Sequence, residues 1–240
     1  MNDVSYLVID SKYKISGHSC NFTQQLQSTV KITKFIQLLY CSIPNTEYLI
    51  TTGYNDKFKV IFADAVEKDV TLTSKNYNTT TLSAEILTKV NYASFTPAYS
   101  INEYKYIFSA SQNFTIKKQD STNLKKCNDI IGIGNNDIIS ASNIAKSEKC
   151  INFTKPSKLY IHIKNLNNGK FYGSGPSSSF IIPINAGSGE VNVWNSNNSY
   201  TNVIFVNNTD LNNIEIKLLR SDNTEWTNND SETSFIFIFK

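Results

Sequence analysis

The chain is poor in the residues on which most enzymes and nucleic-acid readers are built. Arg220 is its single arginine, and every other basic residue except histidine is lysine. The planar fork that grips phosphate or a guanine edge is almost missing, which argues against sequence-specific reading of nucleic acid. The net charge of +3 is thinly spread, in basic runs no longer than a pair such as Lys117-Lys118. Such a surface supports weak, unspecific contact with a polyanion and no binding groove. Histidines number two, His18 and His162. The four cysteines, Cys20, Cys41, Cys127 and Cys150, are widely spaced with no Cys-x-x-Cys pair, so a zinc site is not expected. They read as free, mostly buried thiols of a protein made in the cytoplasm. No charged segment followed by an apolar run opens the chain, so no signal peptide is expected. No apolar run approaches the roughly 20 residues that span a bilayer, so no membrane span is expected either.

Asparagine, by contrast, is abundant. Together with lysine in place of arginine, this reads as the imprint of an AT-rich genome. The Asn-x-Ser/Thr triplets at Asn21, Asn78, Asn113, Asn152 and Asn207 follow from that composition and are not taken as glycosylation sites. With 40% hydrophobic residues and 18% charged ones, the 240-residue chain is too apolar to stay disordered and long enough to bury a full core.

Period-two alternation and short β-branched or aromatic runs predict strands at 4–10, 20–26, 29–43, 57–63, 69–74, 104–109, 112–118, 158–165, 179–184, 190–194, 202–206, 213–220 and 233–239. The last of these, Ser234-Phe-Ile-Phe-Ile-Phe239, is apolar on both faces. A strand of that kind belongs inside a sandwich or against a neighbouring subunit. One helix is predicted, with Thr81 as N-cap, Leu82, Ile86, Val90 and Ala93 on one face, Glu85 in the first turn and Pro97 beyond its end. A second short helix is expected near 122–129. Many short strands with one helix indicate an all-β protein. The expected fold is a single jelly-roll β-sandwich, eight strands in two antiparallel sheets, with one short helix and loop insertions. An immunoglobulin-like sandwich would not need the long 119–157 connection, and the cysteines are not placed as a bridge around a tryptophan. The expected organisation is one domain over 1–240, with an extended arm over about 1–20 and an insertion or long loops within about 119–205.

Candidate chemistry is sparse. A cysteine hydrolase can be drawn from any of the four cysteines with His162 and an asparagine. No element presents a cysteine at a helix N-terminus, where its thiolate would be favoured. Gly132-Ile-Gly134 lacks the Lys-Ser/Thr of a phosphate loop and the third glycine of a dinucleotide site, and reads as a turn. The pairs Asp64 with Glu67 and Asp222 with Glu225 supply too few converging oxygens for calcium and read as solvated turns. Trp194 and Trp226 are the residues on which a sugar-stacking platform would rest, and equally what a protein interface would use. No catalytic, cofactor-binding or metal-ligating residue is assigned, and no enzyme activity is expected.

Three stretches carry a likeness. Tyr6-Leu-Val-Ile-Asp10-Ser-Lys-Tyr-Lys14 is followed by Asn21-Phe-Thr-Gln-Gln-Leu26. Then comes Val30-Lys-Ile-Thr-Lys-Phe-Ile-Gln-Leu-Leu-Tyr-Cys-Ser-Ile-Pro-Asn-Thr46. This order resembles the start of the penton, or minor capsid, proteins of virophages (Mavirus- and Sputnik-like) and of related large DNA viruses. Asp69–Tyr77, Thr81–Leu87, the strands at Tyr104–Ser109 and Asn113–Ile116, and Asn213–Trp226 with Phe235–Phe239 continue it. Ile133 stands where the pattern has Phe, an extra Asn-Thr-Thr precedes the helix, and 135–205 carry little of it. The resemblance implies a virion protein that forms homopentamers at icosahedral fivefold vertices. It would contact trimers of a double-jelly-roll major capsid protein and touch packaged DNA at most weakly. It would be made in the host cytoplasm or virus factory. On this reading 29–43 and 233–239 build the core, and the arm with loops 44–56, 119–157 and 165–179 makes the contacts. Gly53, Gly169, Gly173, Gly175 and Gly187 would permit tight loops there. The alternative is a jelly-roll carbohydrate-binding or host-attachment module of a virion.

Overall fold

The computed structural model describes residues 4–118, 127–166, 179–196 and 202–240. The chain opens with β1 (Ser5–Asp10), β2 (Ser16–His18), β3 (Asn21–Ile32) and β4 (Phe35–Pro44). Next come β5 (Lys57–Phe62), β6 (Glu67–Thr71), α1 (Thr79–Val90), β7 (Thr96–Ser100), β8 (Lys105–Ser109), β9 (Phe114–Ile116), α2 (Cys127–Ile130), β10 (Ile138–Ile139) and β11 (Ile144–Lys146). It closes with β12 (Lys158–Ile163), β13 (Ser179–Pro183), β14 (Val191–Asn195), β15 (Val203–Phe205), β16 (Thr209–Leu219) and β17 (Ser234–Phe239). Among the described residues the protein is therefore mostly β, with seventeen strands in four antiparallel sheets. Eight strands in two sheets do not account for it. The chain forms two compact units, residues 1–47 with 156–240, and residues 48–155.

In the first unit one sheet runs β1-β17-β4, with β14 and β15 sharing the far edge of β4; the other runs β13-β12-β16-β3-β2. The pairing is nested. β1 lies on β17, β3 on β16, β4 on β14 and β15, and β12 on β13. Strands such as β1, β16 and β17 alternate more and less buried positions, and each sheet buries one face. Leu7, Ile9, Ile36, Leu38, Phe235 and Phe237 of the first sheet share a core with Phe22, Ile161, Phe180, Ile214 and Ile216 of the second. Rings meet across it, Phe22 to Phe235 at 6.5 Å and Phe180 to Phe237 at 5.5 Å between centroids.

The stretch 29–43 is two strands, one in each sheet. β3 ends at Ile32 and β4 begins at Phe35. The reversal carries no Gly or Pro, because a distant group holds it. The backbone carbonyl of Lys240 accepts from the amides of Thr33 (2.8 Å) and Lys34 (2.6 Å). Nor do residues 5–10 leave the fold as an arm. They pair along their whole length with β17, from Ser5 opposite Phe239 to Asp10 opposite Ser234.

The second unit holds sheets β10-β9-β5-β6 and β11-β8-β7, with α1 packed on their shared core. Aromatic rings dominate that core. Phe95 meets Phe108 at 5.7 Å, Phe114 at 5.1 Å and Phe62 at 6.1 Å. The helix begins two residues earlier than its predicted cap. Asn78 is the N-cap, and Asn78 with Thr81 forms a reciprocal capping box. Leu82, Ile86 and Val90 are buried as their spacing requires. Asn91 ends the helix in the left-handed region, so Ala93 lies beyond it and Glu85 sits past the first turn. Pro97 is a residue of β7, an edge strand, where a missing N–H is tolerated. The 119–157 connection carries α2, β10 and β11; residues 122–126 of the expected helix, and Gly169, Gly173 and Gly175, lie outside the described residues.

Inward and outward residues of paired strands should respond differently to substitution. Phe237→Ala, at a fully buried ring, should destabilise the protein by about 3–5 kcal/mol. Val8→Ala, on the outward face of the neighbouring strand, should cost under about 0.5 kcal/mol in the same urea titration.

Candidate functional site

Two places in the first unit hold polar side chains against expectation or apolar ones in the open. The first is the connection between β16 and β17. Arg220 and Glu47 form a salt bridge with side chains 3% and 4% exposed. The guanidinium also donates to the Thr224 hydroxyl (3.1 Å) and to the backbone carbonyl of Glu225. The loop beyond is tied down on all sides. Thr46 donates its hydroxyl to the Asn228 carbonyl, and Asn229 donates its amide to the Thr46 carbonyl at 2.5 Å. Asp230 accepts from the Ser19 amide (2.9 Å) and hydroxyl (2.8 Å), which hold its carboxyl below the usual range. The Thr233 hydroxyl donates to the Ser19 carbonyl at 3.0 Å. Residues 220–233 thus lock the end of β4 to the start of β3. The one arginine is a structural ion, not a ligand for phosphate.

The thiols are not set up for nucleophilic work. The Cys20 thiol donates to Asn228 Oδ1 at 2.9 Å, and burial pushes its pKa up. Burial pushes Cys41 up to about 12, and Cys127 is raised by the same cause. A thiol held in its neutral form is the opposite of an activated one. Cys150 is the exposed one, with the Glu103 carbonyl 3.7 Å from its sulfur. His162 Nδ1 lies 3.3 Å from the Ser179 hydroxyl, and His18 Nε2 2.8 Å from Glu225 Oε1.

The other candidates resolve into local structure. Gly132 packs where an added Cβ would come 2.3 Å from the Lys149 carbonyl, and Gly134 where one would come 2.0 Å from the Glu148 carboxylate. A carboxylate against Gly134 repels phosphate. Asp64 accepts from Tyr92, from Gln112 at 3.0 Å and from the Val66 amide at 3.2 Å, whereas Glu67 pairs with Lys59 at 2.8 Å. Asp222 caps its own turn at Thr224, and Glu225 takes His18, Asn21 and Lys217. No group of three or more His, Cys, Asp or Glu converges to hold a metal among the described residues. Trp226 is 1% exposed and offers no stacking face, and Trp194 is partly buried against the core. Asn21, Asn78, Asn113 and Asn152 each use their side chains in hydrogen bonds.

The second place is the outer face of the β1-β17-β4 sheet. Tyr6 (67% exposed) and Val8 (63%) stand on β1, and Val191, Val193 and Phe205 are likewise exposed on β14 and β15. Between them lie half-buried Ile236 and Ile238 of β17 and Tyr40 of β4. The row from Val8 through Ile236 and Tyr40 to Asn195 carries no charge, and the next, from Asp10 through Ser234 and Ser42 to Val193, has its one carboxylate at the β1 edge. The outer face of the other sheet is different in kind. It carries Lys164 paired with Glu215 (3.3 Å) and Lys217 with Glu225 (3.4 Å), as a solvated face does.

The class is that of an all-β protein with nested antiparallel pairing and one sheet face left apolar. No family model matches the sequence, and the comparison with curated proteins finds no match. Among solved structures the fold is similar to that of the mavirus penton protein. The likeness has a TM-score of 0.50 and 8% sequence identity, and covers 100% of this chain and 99% of that one. It is a distant likeness of fold over the whole length.

Removing one partner of the buried pair should be costly, because the other charge is stranded. Glu47→Gln or Arg220→Met alone should cost about 3–5 kcal/mol, while replacing both by Leu and Met should recover most of it in a double-mutant cycle. A thiol titration should find Cys150 reacting fast in the native protein. Cys20, Cys41 and Cys127 should react only in denaturant.

Proposed function

We propose that the chain is a structural virion protein, a penton capsid protein that forms homopentamers at fivefold vertices and contacts major capsid protein trimers. On this reading it resides in the capsid and catalyses nothing. The full-length likeness of fold to the mavirus penton protein carries the proposal. Topology supports it. First strand on last, second on second-last, and so inward is the pairing of an eight-stranded jelly roll, a common fold of viral shells. On this reading β1, β3, β4, β12, β13, β14 with β15, β16 and β17 would take the eight places, with 48–155 inserted in sequence between the third and the fourth. The role asks for shape and contact surface, and the apolar outer face of the β1-β17-β4 sheet is such a surface.

Co-sedimentation with purified trimers of a double-jelly-roll major capsid protein tests the role. The protein should pellet with trimers at a fixed ratio and raise the yield of closed shells. Failure to bind the trimers at any ratio, with no effect on shell closure, would sink it.

A further inference from the structure

Among the described residues of the first unit, the exposed large apolar side chains fall into two groups, near opposite edges of one sheet. The first is Val4, Tyr6 and Val8 of β1 and its approach, with Tyr13 just beyond the strand and Ile15 where the chain crosses to pair with β3 of the other sheet; all are more than 40% exposed. The second is Val191, Val193 and Phe205, on the strands that share the far edge of β4. Three strand spacings separate β1 from β14, about 14 Å. The groups differ in composition and in setting. Exposed Lys12 stands beside the first, next to Tyr13, and exposed Glu190 stands beside the second, next to Val191.

Resting on the capsid reading above, we propose that these two groups are the two halves of one heterologous interface. The β1 edge of one copy of this chain docks on the β14–β15 edge of the next. Two unlike patches on opposite edges of one molecule are what a head-to-tail contact requires, and such a contact closes into a ring when the rotation allows. A contact that joined like to like would need only one patch, and would stop at a dimer. The charges agree, since Lys12 of one copy would approach Glu190 of the next, while Asp10 at the end of β1 accepts from the Lys12 amide at 2.9 Å. So does the size. Each patch exposes on the order of 300 Å² of apolar surface, enough for the dry centre of an interface that takes about 800 Å² from each partner.

The test uses two variants of the full chain, Val8→Lys and Val193→Lys, each on an outward, exposed position, with thermal melts to verify folding. Sedimentation velocity reads the assembly state. The wild type should sediment as a closed oligomer and each variant alone as a monomer. An equimolar mixture of the two should give a heterodimer, because the intact β14–β15 edge of the first variant meets the intact β1 edge of the second. A Val193→Lys protein that dimerises alone would overturn the heterologous arrangement. Folded variants that assemble like the wild type would overturn the assignment of the surface and leave the capsid reading standing. A wild type that stays monomeric at every concentration would overturn the self-assembly reading itself.

Discussion

The last strand is the constraint on which the first unit depends. β17 lies between β1 and β4, so the C-terminal residues complete a sheet that the N-terminal residues began. Its phenylalanines face in and its isoleucines face out. Phe235 and Phe237 are fully buried against Phe22 and Phe180 of the opposite sheet, while Ile236 and Ile238 floor the exposed apolar face. One run of alternating residues therefore serves the core and the surface together. A one-residue slip of register would exchange the two sets and put phenylalanine on the outside. The backbone carbonyl of Lys240 adds a further restraint, because it caps the reversal between β3 and β4.

The ties around residues 220–233 do a different job. The nested pairing leaves the chain to enter the 48–155 unit at the end of β4, and Glu47 is the last residue before it does so. Burying that carboxylate against Arg220 fixes the departure point. Such a pair adds little net stability over a well-packed apolar one, because desolvation offsets much of the Coulomb gain. Its value lies in geometry. The guanidinium spans Glu47, Thr224 and the Glu225 carbonyl at once, which a lysine with a single ammonium head would not do. That accounts for one arginine in a chain that otherwise uses lysine.

Local periodicity made most of the strands legible. β1, β5, β8, β12, β13, β14, β15, β16 and β17 fall within a few residues of where alternation put them. Short or masked signals were missed. β2 is three residues around Gly17, β7 contains Pro97, and β10 and β11 are too short to show a period. The break at Thr33-Lys34 carries no turn residue, since its hydrogen bonds come from the far end of the chain. The division into two units left no linker composition to read, and the Glu47–Arg220 pair joins residues 173 apart. The lone arginine was its one visible trace. The two-sided apolar character of 234–239 was legible, and pointed to the surface that the structure exposes. Trp226 was misleading, because a buried tryptophan and a stacking platform look alike in sequence.

On the capsid reading, the apolar groups at the two edges of one sheet make the chain one part of a ring. Native mass spectrometry of the purified chain tests that claim most directly. The account predicts a dominant species of five copies of the 27.1 kDa chain. A spectrum showing only monomer, or a dimer that does not grow with concentration, would contradict it.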